Sequence, residues 1–379
     1  MLNITKENII PYLKEHMPDF EDDGSVTISQ VGDGSPEEDG DGYVNYIFRI
    51  HTDKGNYVLK QGQELARTGL DPMAMYRNGL EYDSMRIRYA IVPEYTPFLK
   101  FQDKENNLFV MEDVSDLRIV RFQFNKNRMF PELGQQCGEC MAKTEFYTSE
   151  YFLSREEYRQ LQAKFANTEM RRVMEDGAFM DIFNTEVERG LGEDYNFAKG
   201  IMYDHRFETE RFKLRRSFMS HADGLIHADL HTSNIFASED AMKVIDMEFS
   251  FMGPFGYDLG YLTGNILSQY CAACFKPFPS EAERREFKAY LLATIKNLFE
   301  TYFKTFTACW NKDAKERYQG AGGLCRSILD EVMRDAPGYA SIVNWFRCTG
   351  EIEYPDFEVI ENLEDKKHAQ TLSLMIDWQ

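Results

Sequence analysis

Three carboxylates and a carboxamide carry the chemistry of this sequence. Asp229 and Asn234 lie in the run Gly224-Leu-Ile-His-Ala-Asp-Leu-His-Thr-Ser-Asn-Ile235, and Asp246 and Glu248 in Lys243-Val-Ile-Asp-Met-Glu248. Phosphoryl transfer needs a group that orients the attacking hydroxyl and accepts its proton as charge shifts, and Asp229 can fill that role. It also needs a hard cation on the phosphates. Magnesium prefers oxygen ligands, so Asp246 and the amide oxygen of Asn234 suit it, with Glu248 as an extra carboxylate. Taken singly, Asp229 reads equally as a turn residue and Asp246 as a cap. Their joint spacing favours the chemical reading.

His227, Asp229, Leu230 and Asn234 match the pattern H-x-D-L-x-x-x-N of kinase catalytic loops. At average residue usage, four such fixed positions recur by accident in a chain of this length about once in several hundred to a thousand sequences. In such loops the histidine supports the backbone, so His227 is assigned a structural part. His231 has two open readings, contact with phosphate or packing. Soon after Asp246 comes Gly253-Pro-Phe-Gly-Tyr-Asp258, a tight turn into an apolar helix. That leaves no room for the peptide-binding segment that precedes A-P-E in protein kinases, so the expected acceptor is a small molecule. Asp258 is expected to brace the catalytic loop through hydrogen bonds.

A phosphate clamp must come from elsewhere. Lys60 ends the strand-like Tyr57-Val-Leu-Lys60 as the nucleotide lysine does in V-A-I-K, and Glu81 stands further on in a helical stretch, placed to pair with it. Gly40, Gly42 and Asn45, in Gly40-Asp-Gly-Tyr-Val-Asn45, could cover phosphates with backbone N–H groups. Gly32-Asp-Gly34 could do the same, and a plain surface turn is a third reading. Met111, Glu112 and Val114 complete the candidate ATP-binding set.

The elements that must position these residues change character along the chain. Tyr43–Ile50 and Asn56–Lys60 flank Thr52-Asp-Lys-Gly55 and read as a hairpin after a short helix around Thr5–His16. A helix over Met73–Arg88 follows, then strands near Phe98–Gln102 and Asn107–Glu112. From Pro131 helical periodicity dominates, with capping boxes at Ser154/Glu157 and Ser280/Glu283. The fold class is therefore α+β: a small antiparallel-sheet lobe over residues 1–112 that binds nucleotide, and a larger, mostly helical lobe over residues 113–379 with the catalytic loop and acceptor site.

Of 379 residues, 63 are acidic and 43 basic, a formal charge of -20 that repels nucleic acid and anionic membranes. The chain begins without an apolar signal core and holds no long apolar run, so a cytoplasmic protein is expected. Seven cysteines, an odd number, fit a reducing compartment. Cys137/Cys140 and Cys271/Cys274 form two C-x-x-C pairs, but they lie too far apart for an ordinary structural zinc site, and Cys137 continues the apolar stripe of Leu133 and Met141. They read as core cysteines.

The run His227-Ala-Asp-Leu-His-Thr-Ser-Asn-Ile235 and the run Val244-Ile-Asp-Met-Glu-Phe-Ser-Phe-Met-Gly-Pro-Phe-Gly-Tyr-Asp258 closely resemble the methylthioribose kinases, relatives of the aminoglycoside phosphotransferases. So do Asp41–Phe48, Tyr57–Gln61, Pro72-Met73 and Met141-Ala-Lys-Thr144. The resemblance implies a protein-kinase-like two-lobe fold, ATP with Mg2+, transfer to the anomeric hydroxyl of a ribose analogue in methionine salvage, and a homodimer. It also implies that Arg347, beside Asp229, binds the acceptor. Five features depart from the family pattern, one of them an insertion in the glycine loop. Ala228 stands where the family has glycine, Asn234 where many members have serine, Gly69-Leu-Asp71 where a tryptophan precedes Pro-Met, and Phe346 where a second arginine precedes Arg347. Three readings follow: a methylthioribose kinase, which explains the most residues; a kinase for another small sugar or aminoglycoside, such as 5-deoxyribose; and a nucleotide-binding relative without catalysis.

Overall fold

The computed structural model describes residues 1–22, 24–32, 45–64, 73–183, 195–349 and 355–378. The first part of the chain builds α1 (Ile9–His16), β1 (Thr27–Gln30), β2 (Tyr46–Thr52), β3 (Gly55–Gln61), α2 (Arg77–Ile91), β4 (Leu99–Asp103) and β5 (Leu108–Glu112). The strands form one antiparallel sheet in the order β1-β2-β3-β5-β4.

Successive strand residues point to opposite faces, and the sheet uses both. Leu59, Leu108 and Val110 pack against Ile9, Tyr12 and Leu13 of α1. Val58, Phe109 and Met111 point the other way, into a cluster that contains Met85 of α2. Lys60 lies two residues from Val58 and opposite Phe109, so strand periodicity alone turns it toward α2.

The hairpin expected around Thr52–Gly55 forms, with Thr52 paired to Gly55 and the Thr52 hydroxyl donating to the Gly55 carbonyl at 2.7 Å. The first strand of this hairpin is seen over Tyr46–Thr52, and the expected start at Tyr43 lies outside the described residues. Helix α2 is also displaced from Met73–Arg88. Its first turn is preceded by a bond from Arg77 N to Ala74 O, and it runs on to Ile91, where Pro93 disfavours continuation.

Beyond Glu112 the chain is mainly helical. The elements that bear on the site are β6 (Arg118–Ile119), α3 (Leu133–Tyr147), β7 (Gly224–Ile226), β8 (Ile235–Ala237), β9 (Met242–Val244), β10 (Phe251–Gly253), α4 (Tyr257–Ala273), α5 (Glu281–Asp313) and α6 (Leu324–Thr349). Ser154 and Glu157 form the expected reciprocal capping box. Ser280 caps α5 through Glu283 N at 3.2 Å, but the Glu283 carboxylate meets the Ser280 hydroxyl instead of its backbone. Gly134 and Gly138, one turn apart on α3, let α5 lie close, since a Cβ at either would collide with the carbonyl oxygen of Thr294 or Leu298.

A single apolar cluster joins the two parts, running from Val58, Met85 and Phe109 through Leu133 and Cys137 to Leu230, Val244, Leu259 and Leu298. Polar ties reinforce it. Ser84 bonds Ser250 at 3.0 Å, and Arg88 donates to the Leu225 carbonyl at 3.1 Å. The seven cysteines are free, four of the five buried ones being Cys137, Cys140, Cys271 and Cys348, and none joins a metal-ligand cluster among the described residues. No described helix is long and apolar enough to cross a membrane.

Candidate active site

The catalytic loop leaves β7 at Ile226 and enters β8 at Ile235. Its geometry is set by Asp258 in the first turn of α4, which accepts from His227 N at 2.6 Å and Ala228 N at 2.9 Å. These two bonds hold Ala228 at φ 69°, a left-handed conformation that costs about 1–2 kcal/mol in a residue with a Cβ. This is the position at which the resembling family carries glycine. The His227 ring accepts from Asp229 N at 3.3 Å and donates Nε2–H to the Ile245 carbonyl at 2.9 Å. Burial, together with the nearby Arg88 charge, lowers its pKa, so the ring is a neutral strut between two loops.

Asp229 is thereby presented with its carboxylate beside two donors. The Tyr261 hydroxyl lies 2.7 Å from Oδ1, and His231 Nε2 lies 3.5 Å from Oδ2. Burial would raise its pKa, but His231 and Tyr261 outweigh that and hold it below the ordinary carboxylate value. Asp229 is therefore ionised at neutral pH. Asn234 donates Nδ2 to the Asp229 carbonyl at 3.0 Å, which leaves its Oδ1 as the atom a metal would use.

Strand β9 delivers Asp246, which also sits in the left-handed region at φ 66°. Ile245 N bonds the Asn234 carbonyl at 3.0 Å and so fixes the two ligand segments relative to each other. Lys60 donates to Glu81 Oε1 at 2.8 Å, lies 2.7 Å from Oε2 in the same ion pair, and also bonds Asp246. Glu81, Asp246 and Glu248 each place one oxygen within 4.8 Å of the others. Burial lowers the Lys60 pKa, but the three carboxylates more than reverse this and keep it charged. The same crowding shows on the acids: burial pushes Glu81 up to about 8 and raises Glu248. Lys60 takes up Glu81, so the hard oxygens of Asp246, Glu248 and Asn234 are the donor set that fits Mg2+.

Other expected residues are placed differently. Asn45 is buried and spans Glu248 and Arg77, so it serves the carboxylate cluster. Gly40 and Gly42 lie outside the described residues. Met111 and Val114 are buried at the passage out of β5. Glu112 is tied to β4, its carboxylate accepting from Phe98 N at 2.9 Å and its own N–H donating to Phe98 O at 2.8 Å.

Arg347 departs most from expectation. Its side chain is wholly buried in an ion pair with Asp356, which also accepts from Gln269 at 2.9 Å and lies 3.8 Å from Arg121. Arg121 N in turn bonds the Thr232 carbonyl in the catalytic loop at 3.1 Å. Arg347 is thus linked to the loop through Asp356 and Arg121, but it presents no donor to solvent.

Sequence reasoning missed Arg77 and Tyr261, though both carry a positional signal. Arg77 precedes Glu81 by one helical turn, and Tyr261 follows Asp258 by about one, so each shares a face with a recognised residue. A groove of about 1150 Å³ lined by Phe207, Arg211, Phe299, Met333 and Ser341 shares no residue with the site and lies elsewhere on the helical part.

A buried lysine–glutamate pair, converging carboxylates and an ionised aspartate on a braced loop define a phosphotransferase of the kinase-like fold. Consistent with this class, residues 150–294 match the model of the phosphotransferase enzyme family. A glucosamine kinase structure (crystal form B) shares the fold at 10% identity with a TM-score of 0.55, covering 98% of this chain and 85% of that one. The methylthioribose kinase of Geobacillus sp. (strain WCH70) is 32% identical over 361 residues, spanning 93% of this chain and 88% of the relative. That of Geobacillus kaustophilus (strain HTA426) is 32% identical over 360 residues, spanning 92% and 88%. The chain belongs to the methylthioribose kinase family. It is a small-molecule sugar kinase with ATP as phosphate donor.

Proposed function

We propose that the protein phosphorylates the anomeric hydroxyl of S-methyl-5-thioribose, using ATP with Mg2+. The observation that carries the catalytic part is the placement of an ionised Asp229, held by Tyr261 and His231, on a loop braced by Asp258 and tied through His227 and Asn234 to Ile245, next to Asp246. The substrate rests on relatives named methylthioribose kinase along nine-tenths of the chain.

In this reading Asp229 orients the sugar hydroxyl and takes its proton as the oxygen attacks the γ-phosphorus. Tyr261 keeps the carboxylate aimed. Lys60, held by Glu81, meets the phosphates. Asn234, Asp246 and Glu248 would hold the metal, which when bound neutralises charge building on the phosphates. Arg347 enters as a buried part of the wall behind the acceptor, fixed by Asp356. The division at residue 112, a homodimer and a cytoplasmic location belong to the same proposal.

The second reading, a kinase for another small sugar or aminoglycoside, is favoured by Phe346 in place of an arginine and by the burial of Arg347. A radiolabelled-ATP screen over methylthioribose, 5-deoxyribose, ribose and aminoglycosides separates the two. Methylthioribose should give the highest kcat/KM. A higher value for any other acceptor would transfer the assignment to it.

A further inference from the structure

Arg77 opens α2 and is completely buried although it carries a full charge. A buried guanidinium is costly unless its donors are used, so what it binds shows what it is for. Its Nε lies 3.2 Å from Glu248 Oε2. Its Nη2 donates to Asn45 Oδ1 at 3.0 Å and to the Gln63 carbonyl at 3.1 Å, and its Nη1 to the Ala74 carbonyl at 3.1 Å. Asn45 then donates its own Nδ2 to Glu248 Oε2 at 3.0 Å. One oxygen of Glu248 therefore takes a hydrogen bond from Asn45 and faces the Arg77 charge at ion-pair distance, both from the sheet side. The other, Oε1, accepts no hydrogen bond among the described residues.

We propose that Arg77, assisted by Asn45, is a positioning residue that fixes Glu248 as a one-oxygen ligand for the nucleotide's metal. The inference rests on the reading of Glu248 as a metal ligand. Because Arg77 and Asn45 come from the sheet part and Glu248 from the segment after β9, this ligand takes its working orientation only while the two parts are in contact. Lys60 does the same for Asp246, reaching it from β3. Each carboxylate of the D-x-E pair thus has its own cation from the opposite side of the cleft.

The charge balance gives this role a signature that a merely structural residue lacks. Glu81, Asp246 and Glu248 set three crowded carboxyl groups against the two cations Lys60 and Arg77. Removing Arg77 makes the cluster more negative, so divalent-cation binding should not weaken, while Glu248 loses its orientation and turnover falls. Removing the Glu248 charge should weaken cation binding. The two substitutions move metal affinity in different directions.

The test uses the full-length protein with Mn2+ and a non-hydrolysable ATP analogue, reading bound Mn2+ by EPR beside kcat and the melting temperature. Arg77→Gln should bind Mn2+ at least as tightly as wild type, show an altered EPR spectrum, and lose roughly 10- to 100-fold in kcat, the range found when a ligand's supporting partner is removed. Arg77→Lys should recover part of kcat by returning a cation to Oε2. Should Arg77→Gln fail to fold, Asn45→Ala carries the test, with a smaller loss of the same sign. A kcat within twofold of wild type in Arg77→Gln, or Mn2+ binding weakened as in Glu248→Gln, overturns the positioning role alone. If Glu248→Gln itself binds Mn2+ like wild type, the metal-ligand reading fails and the inference falls with it.

Discussion

Replacing Asp258 should damage both stability and turnover, by amounts that follow from its two bonds. The carboxylate is 2% exposed, and each of its oxygens accepts one buried backbone N–H, at 2.6 and 2.9 Å. Asp258→Ala orphans both donors. Each buried group left without a partner costs about 1–3 kcal/mol, so the loss should be about 2–6 kcal/mol. Asp258→Asn keeps one acceptor oxygen but turns an NH2 toward the second donor, giving about half that loss. The same bonds hold Ala228 in a left-handed conformation it would not choose. Without them the loop relaxes and Asp229 moves. A shift of about 1 Å in a catalytic group can cost 10²-fold in rate, so kcat should fall by about that factor while KM for ATP, which depends on Lys60 and Glu81, changes little. Urea denaturation and steady-state kinetics on both variants supply the measurements. Losses below about 1 kcal/mol together with an unchanged kcat would show that the loop holds its shape without Asp258, and the bracing argument would be wrong.

Other consequences can be checked alongside. Asp229→Asn should lower kcat by roughly 10²- to 10⁴-fold with nucleotide affinity preserved, measured by initial rates and by titration with an ATP analogue. For Asp356, burial raises the pKa, but Arg347 and Arg121 overcome that and hold it at about 2. Its pKa is depressed relative to an unfolded value near 3.9, so its stabilisation is present above about pH 4 and is lost as pH falls toward 2, an effect on the order of 2–3 kcal/mol. Denaturation midpoints between pH 5 and 2 should fall more steeply for wild type than for Asp356→Asn. Purified protein should contain no stoichiometric zinc, and a chelator should leave its melting temperature unchanged, because five of the seven cysteines are buried, Cys274 and Cys325 being half-buried, and none joins a metal-ligand cluster among the described residues.

What could be read from the sequence and what could not divides along physical lines. The catalytic loop was legible because the proposed reaction makes local demands on residue type and spacing, which Asp229, Asn234 and Asp246 meet. Lys60 and Glu81 were legible because strand periodicity turns Lys60 toward the following helix, where Glu81 sits on the facing side. Element ends were less so. The four-residue delay of α2 depends on a turn at 73–76, which the helical pattern of those residues does not reveal. Arg347 is the instructive case. Its acceptor role came from position in a family pattern, but what a guanidinium can do depends on which carboxylate reaches it, and Asp356 lies in a separate short helix. With Asp356 fully buried, pulling Arg347 away would strand a charge on each side, a cost of about 3–5 kcal/mol when a buried pair is broken. No sugar hydroxyl would readily displace so well-placed a partner. The buried pair instead reaches the catalytic loop through Arg121, which faces Asp356 at 3.8 Å and whose backbone N–H bonds the Thr232 carbonyl at 3.1 Å, so a change at either member of the pair is felt at that loop.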